Sequence, residues 1–183
     1  GKFNHTQLTA TQDFELTMSH DIDTETVEIV PIFSGGGTRL PCYVGILMAL
    51  AELKLSFKSL VGVSGGSIVA AMLAVGKNHE ELKRLALETD FRQFRGFSLI
   101  NLIRTGGLSS GDKFEQWMDE QLAGACFQDL QCDLHVLATD INGGGPVIFN
   151  RTRTPLMKVS QAVRFSMSIP LMFSFKTFDN HVM

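Results

Sequence analysis

Two short apolar runs each end in a glycine-rich corner, and each corner is followed by an apolar run of helical length. Residues 27–33 (VEIVPIF) stop at Ser34-Gly35-Gly36-Gly37, and residues 59–63 (SLVGV) stop at Ser64-Gly65-Gly66. From residue 39 to 53 nearly every side chain is apolar, with Pro41 in the first turn, where its missing N–H costs nothing. The second run continues through Val75 and closes at Gly76. Segments apolar nearly all round are expected to be buried helices. Strand, corner and helix, given twice, is the βαβα pattern of an α/β protein with a parallel sheet. A right-handed crossover returns the chain in the same direction, so both corners leave the carboxyl ends of neighbouring strands. They then share the rim at which open α/β folds bind their ligands.

Composition sets the outer limits. The 183 residues suit one domain, and 44% hydrophobic against 19% charged residues excludes global disorder. Sixteen Lys and Arg against 19 Asp and Glu leave a formal charge of -3, without the basic footprint of a nucleic-acid binder. Cys42, Cys126 and Cys132 have no CxxC spacing and are expected as reduced thiols in the core. The longest apolar run, residues 68–75, falls far short of the ~20 residues that span a bilayer. The first residues lack the layout of a signal peptide, so a cytoplasmic or membrane-peripheral protein is expected. Residues 1–26 are polar and unpatterned and are expected to form a flexible lead-in, with the domain running from 27 to 183.

Further along, residues 78–89 read as an amphipathic helix capped by Asn78, and residues 110–122 as a second capped helix. Residues 132–140 read as a strand, Gly143 to Pro146 as a turn and 147–150 as its partner strand. Residues 155–168 are expected to be helical from Pro155 onward, followed by a β-like end over 173–183 with a turn at Asp179-Asn180. Residues 91–104 mix phenylalanines (Phe94 and Phe97 among them) with Arg92, Arg95 and Arg104. They form either a cover over the sheet or site mouth, or a membrane-surface element.

The chemistry concentrates at the two corners. Gly62-Val63-Ser64-Gly65-Gly66 matches G-x-S-x-G, the turn that holds a serine in a strained, exposed backbone conformation between strand and helix. Small residues are needed on both sides because strand and helix approach closely there. Ser64 is therefore the candidate nucleophile, with Gly62, Gly65 and Gly66 forming its elbow. In the other corner, Gly35, Gly36, Gly37, Thr38 and Arg39 precede a helix, so unblocked N–H groups and the positive end of the helix dipole can face a developing oxyanion. A nucleotide loop fits poorly. There is no G-K-[ST], Leu40 stands where G-x-G-x-x-G needs its third glycine, and no acidic residue ends the second strand. Arg39 is either a fixed positive charge beside the oxyanion site or a first-turn residue paired with a carboxylate.

A G-G-G-x-R loop before an apolar helix, then G-x-S-x-G about 25 residues on, resembles the patatin-like phospholipase family. The resemblance continues through Ala138-Thr139-Asp140 with its glycine turn, and through residues 162–170 (AVRFSMSIP). It implies a three-layer α/β fold with a central, mainly parallel sheet and helices on both faces. It also implies a lipid acyl hydrolase of the phospholipase A or lysophospholipase type, acting through a Ser–Asp dyad and a glycine-loop oxyanion hole. No metal or organic cofactor is implied, and the partner is a lipid or phospholipid. The family's catalytic aspartate sits in an Asp-Gly loop after the terminal hairpin. No Asp-Gly follows Ser64 here, so that base is expected just past Met183, and Asp179 is not read as its substitute.

Two other readings stay open on the residues. Ser64, Asp140 and His181 run in the order of a Ser–Asp–His esterase. Without its base, the chain would instead be a catalytically incomplete lipid- or partner-binding module. His135, alternating with Leu134 and Val136, is expected as an ordinary sheet residue.

Overall fold

A computed structural model describes residues 27–35, 41–90, 110–140, 143–168, 177–178 and 181–182. The elements follow as β1 (Ile32–Phe33), α1 (Cys42–Glu52), β2 (Ser59–Val63), α2 (Gly65–Ala74), α3 (His79–Glu88) and α4 (Ser110–Gln121). A 3-10 turn at Phe127–Asp129 leads into β3 (Asp133–Asp140), β4 (Gly145–Phe149), α5 (Val159–Ser166), β5 (Thr177–Phe178) and β6 (His181–Val182). The fold is α/β, as the alternation of the first four elements requires. Four strands stand in the order β1-β2-β3-β4, parallel through β3, with β4 antiparallel on the edge. β5 and β6 form a separate antiparallel hairpin.

Burial alternates along the strands. Leu60 and Gly62 are buried between half-buried Ser59, Val61 and Val63, and Leu134, Val136 and Ala138 repeat the pattern on β3. The register pairs Leu60 with Leu134 and Gly62 with Val136, so these residues line one face. α2 packs across β1, β2 and β3 and meets α5, which covers β3, while α4 lies against α5. The core beneath these helices includes Ala70, Met72, Val163 and the Phe149–Phe165 pair, whose ring centroids are 5.7 Å apart. Among the described residues, no helix is long and apolar enough to cross a membrane.

β2 occupies the expected residues 59–63. α2 ends as read: Gly76, at φ 92°, lets its own N–H reach Leu73 and the Lys77 N–H reach Met72. Asn78 caps α3 through a full capping box, its side chain accepting from the Glu81 N–H while Glu81 accepts from the Asn78 N–H.

Other expectations are corrected. The helix after the first corner is not buried all round. In α1 Leu47 is buried, Tyr43 and Leu50 pack partly against the core, and Ile46 and Met48 are 48% and 37% exposed. Positions 43, 47 and 50 form one helical stripe, and the remaining apolar residues lie off it. The cysteines are free; Cys132 packs half-buried against the core as expected, but Cys126 is only half-buried and Cys42 is exposed. β4 starts at Gly145 and takes in Pro146, which an edge strand tolerates because the missing N–H would face away from β3. α5 starts four residues later than Pro155. The carbonyls of Pro155 and Met157 accept from Gln128 and Phe127 and so hold that stretch against the 3-10 turn instead. The N-terminal lead-in (1–26), the phenylalanine and arginine stretch (91–104), Phe173, Phe175 and Asp179 lie outside the described residues.

Candidate active site

Register alone brings the two corners together. Phe33 pairs with Gly62 in the parallel β1–β2 ladder, and Gly35 and Ser64 each lie two residues further on. They meet as that count requires: a Cβ built on Gly35 would stand 3.4 Å from the Ser64 Cβ and 3.6 Å from its Oγ. Gly36, Gly37, Thr38 and Arg39 lie outside the described residues.

Ser64 itself has φ 52° and ψ -132°, a combination that residues other than glycine rarely adopt. Such a conformation costs about 1–3 kcal/mol and survives only where its surroundings hold it. Four features do so here. A Cβ at Gly62 would lie 2.6 Å from the Ser67 Cα, and one at Gly66 would lie 2.1 Å from the Phe33 carbonyl oxygen. The glycines therefore allow β2, α2 and the exit of β1 to approach more closely than any side chain permits. The carbonyl of Ser64 accepts from both the N–H and the hydroxyl of fully buried Ser67, at 2.9 and 2.5 Å. Its N–H donates to the hydroxyl of Ser166 at 2.7 Å. The side chain is half-buried at the rim, at the positive end of α2.

The other corner is also fixed from behind. Tyr43, the chain's one tyrosine, donates its hydroxyl to the Ser34 carbonyl at 2.8 Å and sets its ring edge-on to Phe33, 5.2 Å away. The exit of β1 is thereby tied to α1 just before Gly35.

Asp140 ends β3, three residues beyond Leu137, which pairs with Val63, so it belongs to the same rim. It is buried, 5% exposed, and its carboxylate fills the β3–β4 turn so closely that a Cβ at Gly143 would lie 2.3 Å from Oδ2. Its carbonyl accepts from Gly144. His135 sits away from the rim, its ring nitrogens meeting Asp133 and Asn150 at 3.1 Å each, as an ordinary sheet residue would. His181 opens β6 in the separate hairpin. Arg164 is buried on α5 and donates to the Ser168 hydroxyl at 2.7 Å. Burial pulls its guanidinium below the ordinary value, while Asp112 and Glu115 on α4 push the other way.

Sequence reasoning finds Ser64 and its glycines but passes over Tyr43, Ser67 and Ser166 as site-supporting residues. Ser67 carried a signal, since a small polar residue in the first turn after the elbow can reach back to the corner carbonyl. Ser166, 102 residues from its partner, lies in the 162–170 stretch that carries the family resemblance, but nothing there ties it to Ser64.

Residues 32–182 match the family model of the patatin-like phospholipases. Over 149 residues the chain is 31% identical to an uncharacterized protein of Acanthamoeba polyphaga mimivirus, covering 75% of this chain and 50% of that protein. It is 29% identical over 162 residues to the uncharacterized protein YqhO of Bacillus subtilis, covering 78% and 56%. The chain thus spans about half the length of these curated relatives. In structure it is similar to VipD from Legionella pneumophila, with a TM-score of 0.64 at 16% identity, over 86% of this chain and 45% of that one. It is also similar to full-length ExoU, solved in complex with SpcU from the type III secretion system of Pseudomonas aeruginosa. There the TM-score is 0.59 at 22% identity, over 84% of this chain and 41% of that one. The whole sheet-and-corner framework, from β1 to the terminal hairpin, lies within the matched span, and the chain belongs to the patatin-like phospholipase family.

Proposed function

We propose that the chain carries the nucleophile and oxyanion site of a serine lipid acyl hydrolase of the phospholipase A or lysophospholipase type. One observation carries this reading: the strained Ser64 backbone, with the first glycine of the opposite corner so close that an added Cβ would touch the Ser64 side chain. An ordinary Gly-Ser turn has no reason to hold serine at a positive φ between two sterically obligatory glycines.

In this mechanism the Ser64 hydroxyl attacks the ester carbonyl while a carboxylate base takes its proton. The base is an aspartate contributed from outside the described residues. An ionised aspartate in water is a weak base, with an ordinary pKa of about 3.9, so the site must be dry enough to raise its basicity. The carbonyl oxygen becomes an oxyanion facing the Gly35–Gly37 amides and the Gly65 N–H that opens α2. A preorganised donor of this kind contributes about 2.7–4 kcal/mol. Collapse of the tetrahedral intermediate breaks the ester bond, releases the alcohol and leaves an acyl-Ser64 ester. Water then hydrolyses it, with the same aspartate as base. The substrate is an acyl ester of a glycerophospholipid or related lipid.

The test is labelling of the full-length protein with a fluorophosphonate, alongside fatty-acid release from phosphatidylcholine vesicles. Wild type is expected to label and to release fatty acid, and Ser64→Ala to do neither. Labelling that persists in Ser64→Ala would remove Ser64 from its role. A wild type that binds vesicles without labelling would make the chain a binding module.

A further inference from the structure

We propose that Ser166 is a positioning residue for the nucleophile: its hydroxyl fixes the strained corner and withdraws the Ser64 N–H from oxyanion binding. The proposal rests on the reading of Ser64 as nucleophile.

The proton arrangement around Ser166 is determined by its partners. The Ser64 N–H can only donate, and it meets the Ser166 Oγ at 2.7 Å. The Leu137 carbonyl can only accept, so the one hydroxyl proton of Ser166 points to it. That hydroxyl is therefore committed and cannot serve as a second nucleophile or a proton relay. Leu137 pairs with Val63 at the end of the β2–β3 ladder, so the hydroxyl joins the exit of β2, the neighbouring strand and the last turn of α5. It links three elements at a residue whose backbone is strained.

The consequence for the oxyanion follows from the same bond. In some serine hydrolases the nucleophile's own N–H helps bind the tetrahedral intermediate. Here that amide is turned away toward α5 and already has its acceptor. Among the described residues, the donors left for the oxyanion are the Gly65 N–H, at the start of α2, and the Gly35 N–H of the opposite corner. Removing the Ser166 hydroxyl would leave the Ser64 N–H and the Leu137 carbonyl without this partner. It would also release the corner toward a relaxed φ, swinging the Ser64 Oγ away from Gly35.

The experiment compares full-length wild type, Ser64→Ala, Ser166→Ala, Ser166→Cys and Ser166→Thr. The readouts are the second-order rate constant for fluorophosphonate labelling, kcat and KM on p-nitrophenyl butyrate, and near-UV circular dichroism. Ser166→Ala is expected to label about 10-fold more slowly or worse, with kcat falling in step and KM within about two-fold. Ser166→Thr, which keeps the hydroxyl, is expected to recover most of the rate. Should Ser166→Ala fail to fold, Ser166→Cys takes its place, being close in size but a weak acceptor. Labelling of the alanine (or cysteine) variant within about two-fold of wild type would overturn the proposal. So would a threonine variant no faster than alanine. A wild type that does not label refutes the nucleophile reading itself, an outcome distinct from either of these.

Discussion

Replacing Gly66 by alanine adds one methyl group at the tightest of the described glycines. Its Cβ would stand 2.1 Å from the Phe33 carbonyl oxygen, 2.3 Å from the Phe33 carbonyl carbon and 2.4 Å from the Ser34 carbonyl oxygen. Ordinary contact begins at about 3.4 Å, so the obstacle must retreat by more than about 1 Å. All three atoms are backbone, and no rotamer change moves them. The retreat must come from β1, which is held by the pairing of Ile32 with Val61 and Phe33 with Gly62, or from α2, which is packed across three strands. Overpacking usually costs about 1–3 kcal/mol, and a clash with paired main chain belongs at the upper end, near 3 kcal/mol. For a domain of this size that lowers the melting temperature by about 6–12 °C.

Gly35 follows directly on the displaced residues, and an error of about 1 Å in a reacting geometry can cost about 100-fold in rate. Fluorophosphonate labelling should therefore fall steeply even at temperatures where the variant is folded. Gly45→Ala is the matched control. Gly45 lies exposed inside α1 with nothing within 4 Å of an added Cβ, so the same chemical change should stabilise by about 0.5–1 kcal/mol and leave labelling intact. Thermal melts followed by circular dichroism, with labelling rates taken well below either midpoint, decide the matter. A Gly66→Ala protein that melts with wild type, or two glycine variants that fall together, would refute the steric account of the corner.

Elsewhere, Asn78→Ala removes the side-chain half of the capping box, while the Glu81 carboxylate keeps the backbone N–H of residue 78, and should cost about 1 kcal/mol, read as a lower urea midpoint with an unchanged slope. The Lys158 ammonium, 2.7 Å away, holds the Asp119 carboxyl below its ordinary value of 3.8, with the Ser160 hydroxyl helping and partial burial opposing. A depressed carboxyl pKa means that the unfolded chain binds the proton first. The stabilisation is then present above pH 3.8 and lost as pH falls through the folded value. Asp119 in turn raises the Lys158 pKa, so at the other end the pair weakens only as pH rises past 10.5. The difference in urea midpoint between wild type and Asp119→Asn should thus be flat across neutral pH and shrink below pH 3.8. A difference that does not shrink at all as the pH is lowered below 3.8 would exclude the ion pair as its source.

How far the sequence reaches depends on the range of the interaction. β2, α2 and the capped α3 are local: alternation, a stop at glycine and a capping residue are all visible within a dozen positions. The meeting of the corners is one step beyond local, and parallel pairing makes it countable, since two strands leaving in step put Gly35 beside Ser64. Burial is not countable in the same way. In α1 an unbroken apolar composition hides which stripe meets the core, because the polar face that would mark the outside is missing. The start of α5 fails for a related reason: Pro155 is a good first residue for a helix, yet the 3-10 turn nearly 30 residues earlier claims the carbonyls of Pro155 and Met157.

The nucleophile corner combines both situations. A strain of about 1–3 kcal/mol at Ser64 is comparable with what one or two net hydrogen bonds return, at about 0.5–1.5 kcal/mol each. Neither the glycines nor the bonds would be sufficient separately. Gly62 and Gly66 remove the steric barrier to the bent conformation but do not favour it. Ser67 and Ser166 favour it but could not reach the corner if either glycine carried a side chain. The first pair lies within the motif and the second outside it, which is why the position of the serine is legible from five residues while its hold is not. The same division predicts how the site should fail: substitutions at the glycines should reduce both stability and labelling, whereas loss of the Ser166 hydroxyl should fall mainly on labelling.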